Sequence, residues 1–172
     1  IAKITTAKLC EYVTKQFSGK SYKTLLPCNL FGKYDKFDLE KSHLVPSAIR
    51  KIHTALIKGE SEVVIWGKGE VKREFMYVND LVSAIFFCLE RIQDIPNFLN
   101  IGTGIDYTIK EYYEVTKEVI GYKGDFVYDL EKPEGMKRKL INSAKINSLG
   151  WKSSTNLYDG IKNTYEYFKS LN

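Results

Sequence analysis

Tyr22-Lys23-Thr24-Leu25-Leu26-Pro27-Cys28-Asn29-Leu30-Phe31-Gly32 is the stretch of sequence that decides the fold. Its first part, residues 22–27, is short and mostly apolar and predicts a buried β-strand. Its second part, residues 28–32, predicts a loop at the carboxyl end of that strand. Ligands of open α/β sheets bind outside the carboxyl ends of the strands. The stretch therefore predicts a sheet strand together with one side of a binding site.

The residues before this strand predict an amphipathic helix that Ser18-Gly19 ends. The small or apolar side chains that recur at helical spacing are Ile4, Ala7, Cys10, Val13 and Phe17. Further strands are predicted over residues 63–66, 74–78, 98–101 and 126–128, and a charged loop over 131–139. Helices and strands alternate along the chain, which indicates the α/β class.

Punctuation residues predict where the later helices begin and end. Pro46 and Gly59 bound a second helix, and its buried stripe is predicted to contain Ile49, Ile52, His53 and Leu56. A third helix follows, with Asn79 or Asp80 as its cap. Thr108 is predicted to cap a fourth helix that Gly121 ends, and a last helix covers residues 156–171. A polar stretch, residues 33–42, precedes the second helix.

Composition excludes several classes of protein. The chain has 172 residues, is 44% hydrophobic and carries a formal charge of +5, so it is large enough for one sizeable core. No apolar run is long enough to span a bilayer, and the lysines alternate with acids instead of forming a basic block, so neither a membrane nor a nucleic acid is an expected partner. Cys10, Cys28 and Cys88 stand far apart without a CxxC pair, which favours free thiols, a cytoplasmic location and no metal site.

Six segments carry a resemblance to one family. They are Leu26-Pro27-Cys28-Asn29-Leu30-Phe31-Gly32, Ser42-His43-Leu44-Val45-Pro46, Val64-Ile65-Trp66-Gly67-Lys68-Gly69, Arg73-Glu74-Phe75-Met76-Tyr77-Val78-Asn79-Asp80, Asn100-Ile101-Gly102-Thr103-Gly104 and Lys132-Pro133-Glu134-Gly135. On these segments the sequence resembles the GDP-L-fucose synthase family, which consists of extended short-chain dehydrogenases that epimerise and reduce GDP-4-keto-6-deoxymannose with NADP(H). The Arg-Glu-Phe and Gly-Thr-Gly segments are common to the superfamily, whereas the His43 segment and Lys-Pro-Glu-Gly point to the narrower family.

The resemblance implies the C-terminal part of an NAD(P)-binding Rossmann-type enzyme joined to a smaller α/β substrate domain. Residues 1–32 would end the dinucleotide-binding domain, and residues 33–172 would form mainly the GDP-sugar domain, with elements near 74–102 returning to the Rossmann sheet. The family's Gly-rich phosphate loop is not in this chain. We therefore expect the chain to be inactive alone, poorly soluble or partly unfolded, with an exposed apolar helix face.

The resemblance also assigns the cofactor residues. Lys3 matches the lysine of a Tyr-x-x-x-Lys pair whose tyrosine would lie two positions before Ile1, and it would bind the nicotinamide ribose and support the tyrosine as acid or base. Pro27, Cys28, Asn29 and Leu30 would line the nicotinamide pocket. His43 would contact the cofactor and move protons during epimerisation together with an upstream cysteine. Without the resemblance, a lone loop histidine would be interpreted as a surface or capping residue.

Four further residues match positions that hold the GDP-sugar, namely Lys51, Trp66, Arg73 and Glu134. Arg73 is expected to matter more than Lys51, because a guanidinium can bind phosphate through two parallel hydrogen bonds. Trp66 fits a ligand wall and a core tryptophan equally well. Glu134 replaces the Asp that is common in the family, and the neighbouring basic run, residues 137–139, would face the diphosphate.

Three other functions stay open. The chain could belong to a reductase without epimerase activity, which acts on a GDP-sugar such as a GDP-heptose. It could belong to an epimerase that uses another nucleotide sugar. It could also be a non-catalytic binding or assembly module, since the Lys3-type helix commonly packs at a dimer interface in this superfamily, where a homodimer is expected.

Overall fold

The computed structural model describes residues 1–38 and 42–171. Residues 39–41 of the predicted polar stretch therefore lie outside the described residues. The helices are α1 (Ala2–Gln16), α2 (Leu44–Lys58), α3 (Val78–Glu90), α4 (Ile109–Ile120), α5 (Ala144–Ser148) and α6 (Leu157–Ser170). The strands are β1 (Thr24–Pro27), β2 (Asn29–Phe31), β3 (Glu62–Trp66), β4 (Lys72–Arg73), β5 (Phe75–Tyr77), β6 (Phe98–Ile101), β7 (Tyr107–Thr108), β8 (Asp125–Asp129) and β9 (Arg138–Lys139). The predicted α/β class is confirmed.

The deciding stretch forms two strands instead of a strand and a loop. β1 pairs with β6 in parallel, and β2 pairs with β5 in parallel. Between them the Cys28 N–H donates to the Ile101 carbonyl at 2.9 Å, so the chain stays extended while it changes partner. The predicted loop over residues 28–32 is therefore wrong for Asn29–Phe31, because a second parallel strand is present to satisfy its backbone.

The remaining strands form two small sheets. β3 pairs with β8 in parallel, and its buried residues alternate with exposed ones. β4 lies between antiparallel β7 and parallel β9. The predicted charged loop over residues 131–139 therefore ends in a strand, because Arg138–Lys139 supply backbone partners to β4.

Two hydrophobic clusters form the interior. One joins α2, β3, α4 and α6 and includes Ile52, Ile65 and Tyr112. The other joins β5, β6, α3 and α5 and includes Met76, Leu99 and Ile146. Phe31, Tyr77 and Met76 lie on the neighbouring strands β2 and β5 but pack into different clusters, so this strand pair connects the two.

The helix ends confirm most of the punctuation. Thr108 caps α4 in a capping box with Glu111, and Gly121 ends that helix in the left-handed region. Gly59 ends α2 in the same way. The predicted cap of α3 is wrong, because α3 begins at Val78 without a side-chain cap hydrogen bond. Leu56 was predicted to be buried but is 40% exposed.

α1 differs from the other long helices because it buries no side chain. Ile4 is 70% exposed and Phe17 is 51% exposed, so the expected exposed apolar helix face is confirmed. Among the described residues, no helix is long and apolar enough to cross a membrane.

Candidate functional site

A cleft of about 1240 Å³ lies between α1 and the β1–β2 segment, and it extends to the start of α2. Every residue that the sequence assigned to the cofactor lines it, and these are Lys3, Pro27, Cys28, Asn29, Leu30 and His43. These residues come from three elements up to 40 positions apart. The fold therefore gathers into one space a set of residues that the sequence could only nominate separately.

The charge of the cleft favours an anionic ligand. Lys3, Lys8, Lys23 and Lys33 line it, and Asp35 is the only acidic residue among the described residues that do so. Ammonium groups around a concave surface attract phosphate and carboxylate groups. Lys3 lies in the first turn of α1 and is exposed, so its ammonium is free to approach a bound molecule.

The strand side of the cleft offers apolar and neutral polar groups. Asn29 donates through Nδ2 to the Glu74 carbonyl at 3.0 Å, which links β2 to the start of β5. The Cys28 thiol donates to the Asn29 carbonyl at 3.4 Å. Burial, followed by the charge of Glu74, raises the pKa of Cys28 to about 12. Cys28 therefore stays a neutral thiol that lines the cleft and does not act as a nucleophile.

His43 occupies the N-cap position of α2, but its ring makes no capping hydrogen bond. The residue is exposed and lines the cleft. The capping interpretation of this histidine is therefore wrong, and the imidazole is available to exchange protons with a ligand. His53, by contrast, is half-buried, and its Nδ1 lies 3.0 Å from the Tyr165 hydroxyl, as expected for a structural histidine.

Lys51 and Trp66 form a second group, which does not line the cleft. The Lys51 ammonium lies 5.1 Å from the centroid of the Trp66 ring, and the Lys132 ammonium lies 5.5 Å from it. Lys51 also donates to the Val64 carbonyl at 3.1 Å, and burial lowers its pKa. Trp66 is 58% exposed, so the interpretation as a core tryptophan is wrong. Its ring presents a free aromatic surface between two cations.

Arg73 and Glu134 belong to the loop that precedes β9. Arg73 donates through Nη1 to the Met136 carbonyl at 2.6 Å, and Glu134 accepts a hydrogen bond from the Lys68 backbone N–H. A Cβ on Gly67 would lie 2.6 Å from the Glu134 Cγ, so only glycine allows this approach. Both predicted substrate residues therefore have protein partners that hold the loop against the turn after β3.

The predicted basic run, residues 137–139, does not act as one unit. Arg138 forms a bidentate ion pair with Asp106, with Nε to Oδ2 at 2.5 Å and Nη2 to Oδ1 at 3.1 Å. The side chain of Asp106 is 7% exposed. Arg138 is therefore committed to the protein, and nothing in this pair directs its guanidinium to a diphosphate.

Two buried acids escaped the sequence analysis as structural groups. Glu74 is 1% exposed and accepts hydrogen bonds from the Thr103 hydroxyl and from the N–H groups of Gly104 and Ile141. Asp80, which was predicted as a cap, is 3% exposed and accepts instead from Ser154 and Thr155. An acid inside an apolar strand, followed by Gly-x-Gly at a parallel strand end, was the available signal for Glu74. Among the described residues there is no group of three or more side chains suited to hold a metal ion.

Comparison with known proteins places this geometry among nucleotide-sugar enzymes. GDP-L-colitose synthase of Yersinia pseudotuberculosis is 52% identical over 168 residues, which cover 98% of this chain and 54% of that protein. GDP-L-fucose synthase of Escherichia coli (strain K12) is 38% identical over 176 residues, which cover 98% of this chain and 54% of that protein. The resemblance found in the sequence is confirmed, and the chain spans about half the length of the curated relatives it matches.

A solved structure agrees with the fold. The GDP-mannoheptose C4 reductase from Campylobacter jejuni with NADP bound is 34% identical, with a TM-score of 0.83 over 98% of this chain and 58% of that one. The family model described as NAD dependent epimerase/dehydratase matches residues 1–102. Because this match covers more than half of its length, the chain belongs to the NAD dependent epimerase/dehydratase family.

Proposed function

We propose that this chain supplies the nicotinamide-facing and sugar-binding half of an NADP-dependent enzyme that epimerises and reduces a GDP-4-keto-6-deoxyhexose. The observation that carries the proposal is the single cleft lined by Lys3, the β1–β2 segment and His43. The names of the relatives, GDP-L-colitose synthase and GDP-L-fucose synthase, support the substrate class.

The residues of the cleft fit the nicotinamide end of a dinucleotide. Pro27 and Leu30 offer an apolar wall to a ring, and Lys3 offers a donor to ribose hydroxyls. When bound, NADPH supplies the hydride for reduction of the sugar ketone. Lys3 would orient the ribose and, through its positive charge, favour the ionised form of an upstream tyrosine. The Gly-rich turn that holds the pyrophosphate in this family is not in this chain, so the chain would contribute only part of the cofactor site.

His43 would carry the proton transfers of epimerisation. In each transfer a C–H bond next to the ketone breaks, an N–H bond forms on the imidazole, and the electron pair moves to the ketone oxygen. The exposed ring without a capping hydrogen bond supports this role.

Lys51, Trp66, Arg73 and Glu134 would bind the GDP moiety. Their location around the turn after β3 and the loop before β9 supports a binding surface separate from the nicotinamide cleft. The division into residues 1–32 and 33–172, with residues 74–102 returning to the first part, is consistent with the two hydrophobic clusters. A homodimer in the cytoplasm belongs to the same proposal, and three free cysteines favour a reducing compartment.

A chimera tests the proposal directly. Residues 1–172 would replace the equivalent half of the Yersinia pseudotuberculosis GDP-L-colitose synthase, and consumption of NADPH would be followed with GDP-4-keto-6-deoxymannose. We expect Lys3→Met to abolish reduction and His43→Asn to lower the incorporation of solvent deuterium next to the ketone about 10²–10⁴-fold. A folded chimera that consumes no NADPH would contradict the proposal.

The same chimera separates the alternatives. Reduction without deuterium incorporation in the native sequence would identify a C4 reductase, an outcome suggested by the GDP-mannoheptose reductase. Competition by UDP-sugars and not by GDP-sugars would identify another nucleotide specificity. An assembly module would show a concentration-dependent dimer of this chain with no nucleotide affinity, and we expect Arg73→Ala to weaken GDP binding while Arg91→Ala, outside this region, leaves it unchanged.

A further inference from the structure

Asp35 is an unexpected charge in a cleft that attracts anions. Four lysines line this cleft, and Asp35 is the only acid that the described lining residues contribute. A carboxylate there repels the phosphates and the carboxamide-bearing cofactor that the lysines attract, so it weakens binding. A group that opposes binding is retained without contradiction if it has another task at the same site.

The turn that carries Asp35 is held firmly against α6. The Tyr34 ring meets Tyr167 edge-on at 5.3 Å, and the Phe37 ring lies 4.9 Å from Phe168. Tyr34 has φ of 67°, a left-handed conformation that is uncommon for a residue with a side chain. Such a conformation persists where surrounding contacts enforce it. The aromatic anchors on both sides of Asp35 therefore fix the direction in which its backbone presents the carboxylate.

His43 is the ionisable partner that the carboxylate meets. Both residues line the same cleft, and both follow the β1–β2 segment in the chain. Burial raises the pKa of Asp35, while the Lys36 backbone N–H and the positive charge of His43 act in the opposite direction. One carboxylate oxygen, Oδ1, accepts from the Lys36 N–H at 2.9 Å. No other hydrogen bond to this carboxylate comes from the residues the structure describes, which leaves Oδ2 available.

We propose that Asp35 is a positioning residue for His43, whose carboxylate orients the imidazole ring and stabilises the positive charge that the ring acquires on accepting a proton. No bond forms to Asp35 in this role. A carboxylate that hydrogen-bonds one ring nitrogen selects the tautomer and leaves the other nitrogen free to take the proton. The catalytic consequence rests on the proposed function, whereas the pairing of the two side chains does not.

The first test measures the pairing in the 172-residue chain without any substrate. Long-range proton–nitrogen correlation spectra report the tautomer of each histidine ring, and the chain has only two histidines. Asp35→Asn removes the charge but keeps the oxygen that accepts from Lys36. We expect it to change the ring nitrogen shifts of His43 and to leave those of His53 unchanged, because His53 is held by Tyr165. Asp94→Asn, the same change at an exposed acid outside the cleft, is the matched control.

Unchanged His43 shifts in folded Asp35→Asn would overturn the pairing. Equal changes at His43 and His53 would also overturn it, because they would show that Asp35 acts only through the fold. Asp35→Glu keeps the charge, so we expect it to restore most of the native His43 signal.

The second test uses the active chimera and separates binding from turnover. Asp35→Asn should tighten NADPH binding about two- to fivefold, as expected from removing one screened like charge. It should at the same time lower kcat for epimerisation about tenfold, since it acts through a group worth about 10²–10⁴-fold. In the His43→Asn background the same substitution should cost no further turnover. Losses that multiply would mean that Asp35 acts independently of His43 and would overturn the proposal.

The two tests fail separately. An inactive native chimera together with His43 shifts that respond to Asp35→Asn would refute the proposed function and leave the pairing intact. An active chimera whose His43 shifts do not respond would refute the pairing and leave the proposed function intact.

Discussion

α1 and α2 have the same length, 15 residues each, and opposite environments. α1 buries no side chain, whereas α2 buries Val45, Pro46, Ala48, Ile49, Ile52 and Ala55. Both sequences show apolar residues at helical spacing. The difference shows that periodicity identifies a face, while burial requires another element of the same chain to cover it. α4, α6 and β3 cover the face of α2, and only the cleft borders α1.

The two helices also rely on different interactions. Glu11 in α1 forms ion pairs with Lys8 at 3.0 Å and Lys15 at 2.8 Å, all on the helix surface. Surface ion pairs contribute little to the stability of a folded chain. α2 depends on fully buried aliphatic side chains such as Ile49 and Ile52. Substitutions in the two helices should therefore affect stability to very different extents.

The largest expected difference comes from removing one aliphatic side chain from each helix. Ile52→Ala leaves a cavity in the core and should lower the free energy of unfolding by about 2–5 kcal/mol. Ile4→Ala should change it by no more than about 0.5 kcal/mol, because Ile4 is 70% exposed. Urea denaturation followed by circular dichroism measures both. Equal losses would show that α1 is packed in solution, for example against a second copy of the chain.

The cap of α4, the helix that packs on α2, should have the next largest effect. Thr108→Ala removes the side chain that accepts from the Glu111 N–H, and it should cost about 1 kcal/mol. Thr108→Ser keeps the hydroxyl and serves as the control. A loss of the same size in both variants would mean that the methyl group, and not the capping hydrogen bond, provides the stability.

A smaller, pH-dependent effect should come from His53 on α2. Burial, followed by the charges of Arg50 and Lys169, lowers the pKa of His53 below its ordinary value of 6.5. The unfolded state then binds protons more readily as the pH falls, so this contribution to stability is complete above 6.5 and is lost below it. We expect the stability of the native chain relative to His53→Gln to decrease as the pH drops through this range. A difference that does not depend on pH would contradict the assignment.

The smallest effect should come from the surface of α1. Burial is absent there, and hydrogen bonds from Lys15 and Lys8 lower the pKa of Glu11. Glu11→Gln should speed amide hydrogen exchange within α1 and leave the global unfolding transition unchanged, because the helix adds nothing to the core. Glu114→Gln on exposed α4 is the control. A shifted global transition in Glu11→Gln would show that α1 unfolds together with the rest.

Much of the fold could be predicted because local signals matched the structure. Thr108 and Gly121 bound α4, and Gly59 ends α2, since capping and left-handed glycine depend on nearby backbone. The errors at residues 28–32 and at Asp80 have one cause. In both places a distant segment, β5 or Ser154 with Thr155, supplies the hydrogen bonds, and no local pattern reveals such a partner.

The candidate site divides in the same way. Lys3, the 27–30 segment and His43 were nominated from motifs, and the cleft unites them. Asp35 was not nominated, because an acid in a polar turn is unremarkable until its neighbours are known. Trp66 could not be assigned to core or surface, because a strand end offers both environments and packing decides between them.

The sequence by itself determined the class of fold, the helix ends and the family, because helix periodicity, caps and short motifs are properties of neighbouring residues. Tertiary structure alone decided which apolar faces are buried, which acids are held by distant N–H groups, and which charges share the cleft. The physical reason is that burial, hydrogen bonding and electrostatic coupling act across space between segments far apart in the chain, and their strength depends on distances that the order of residues does not contain.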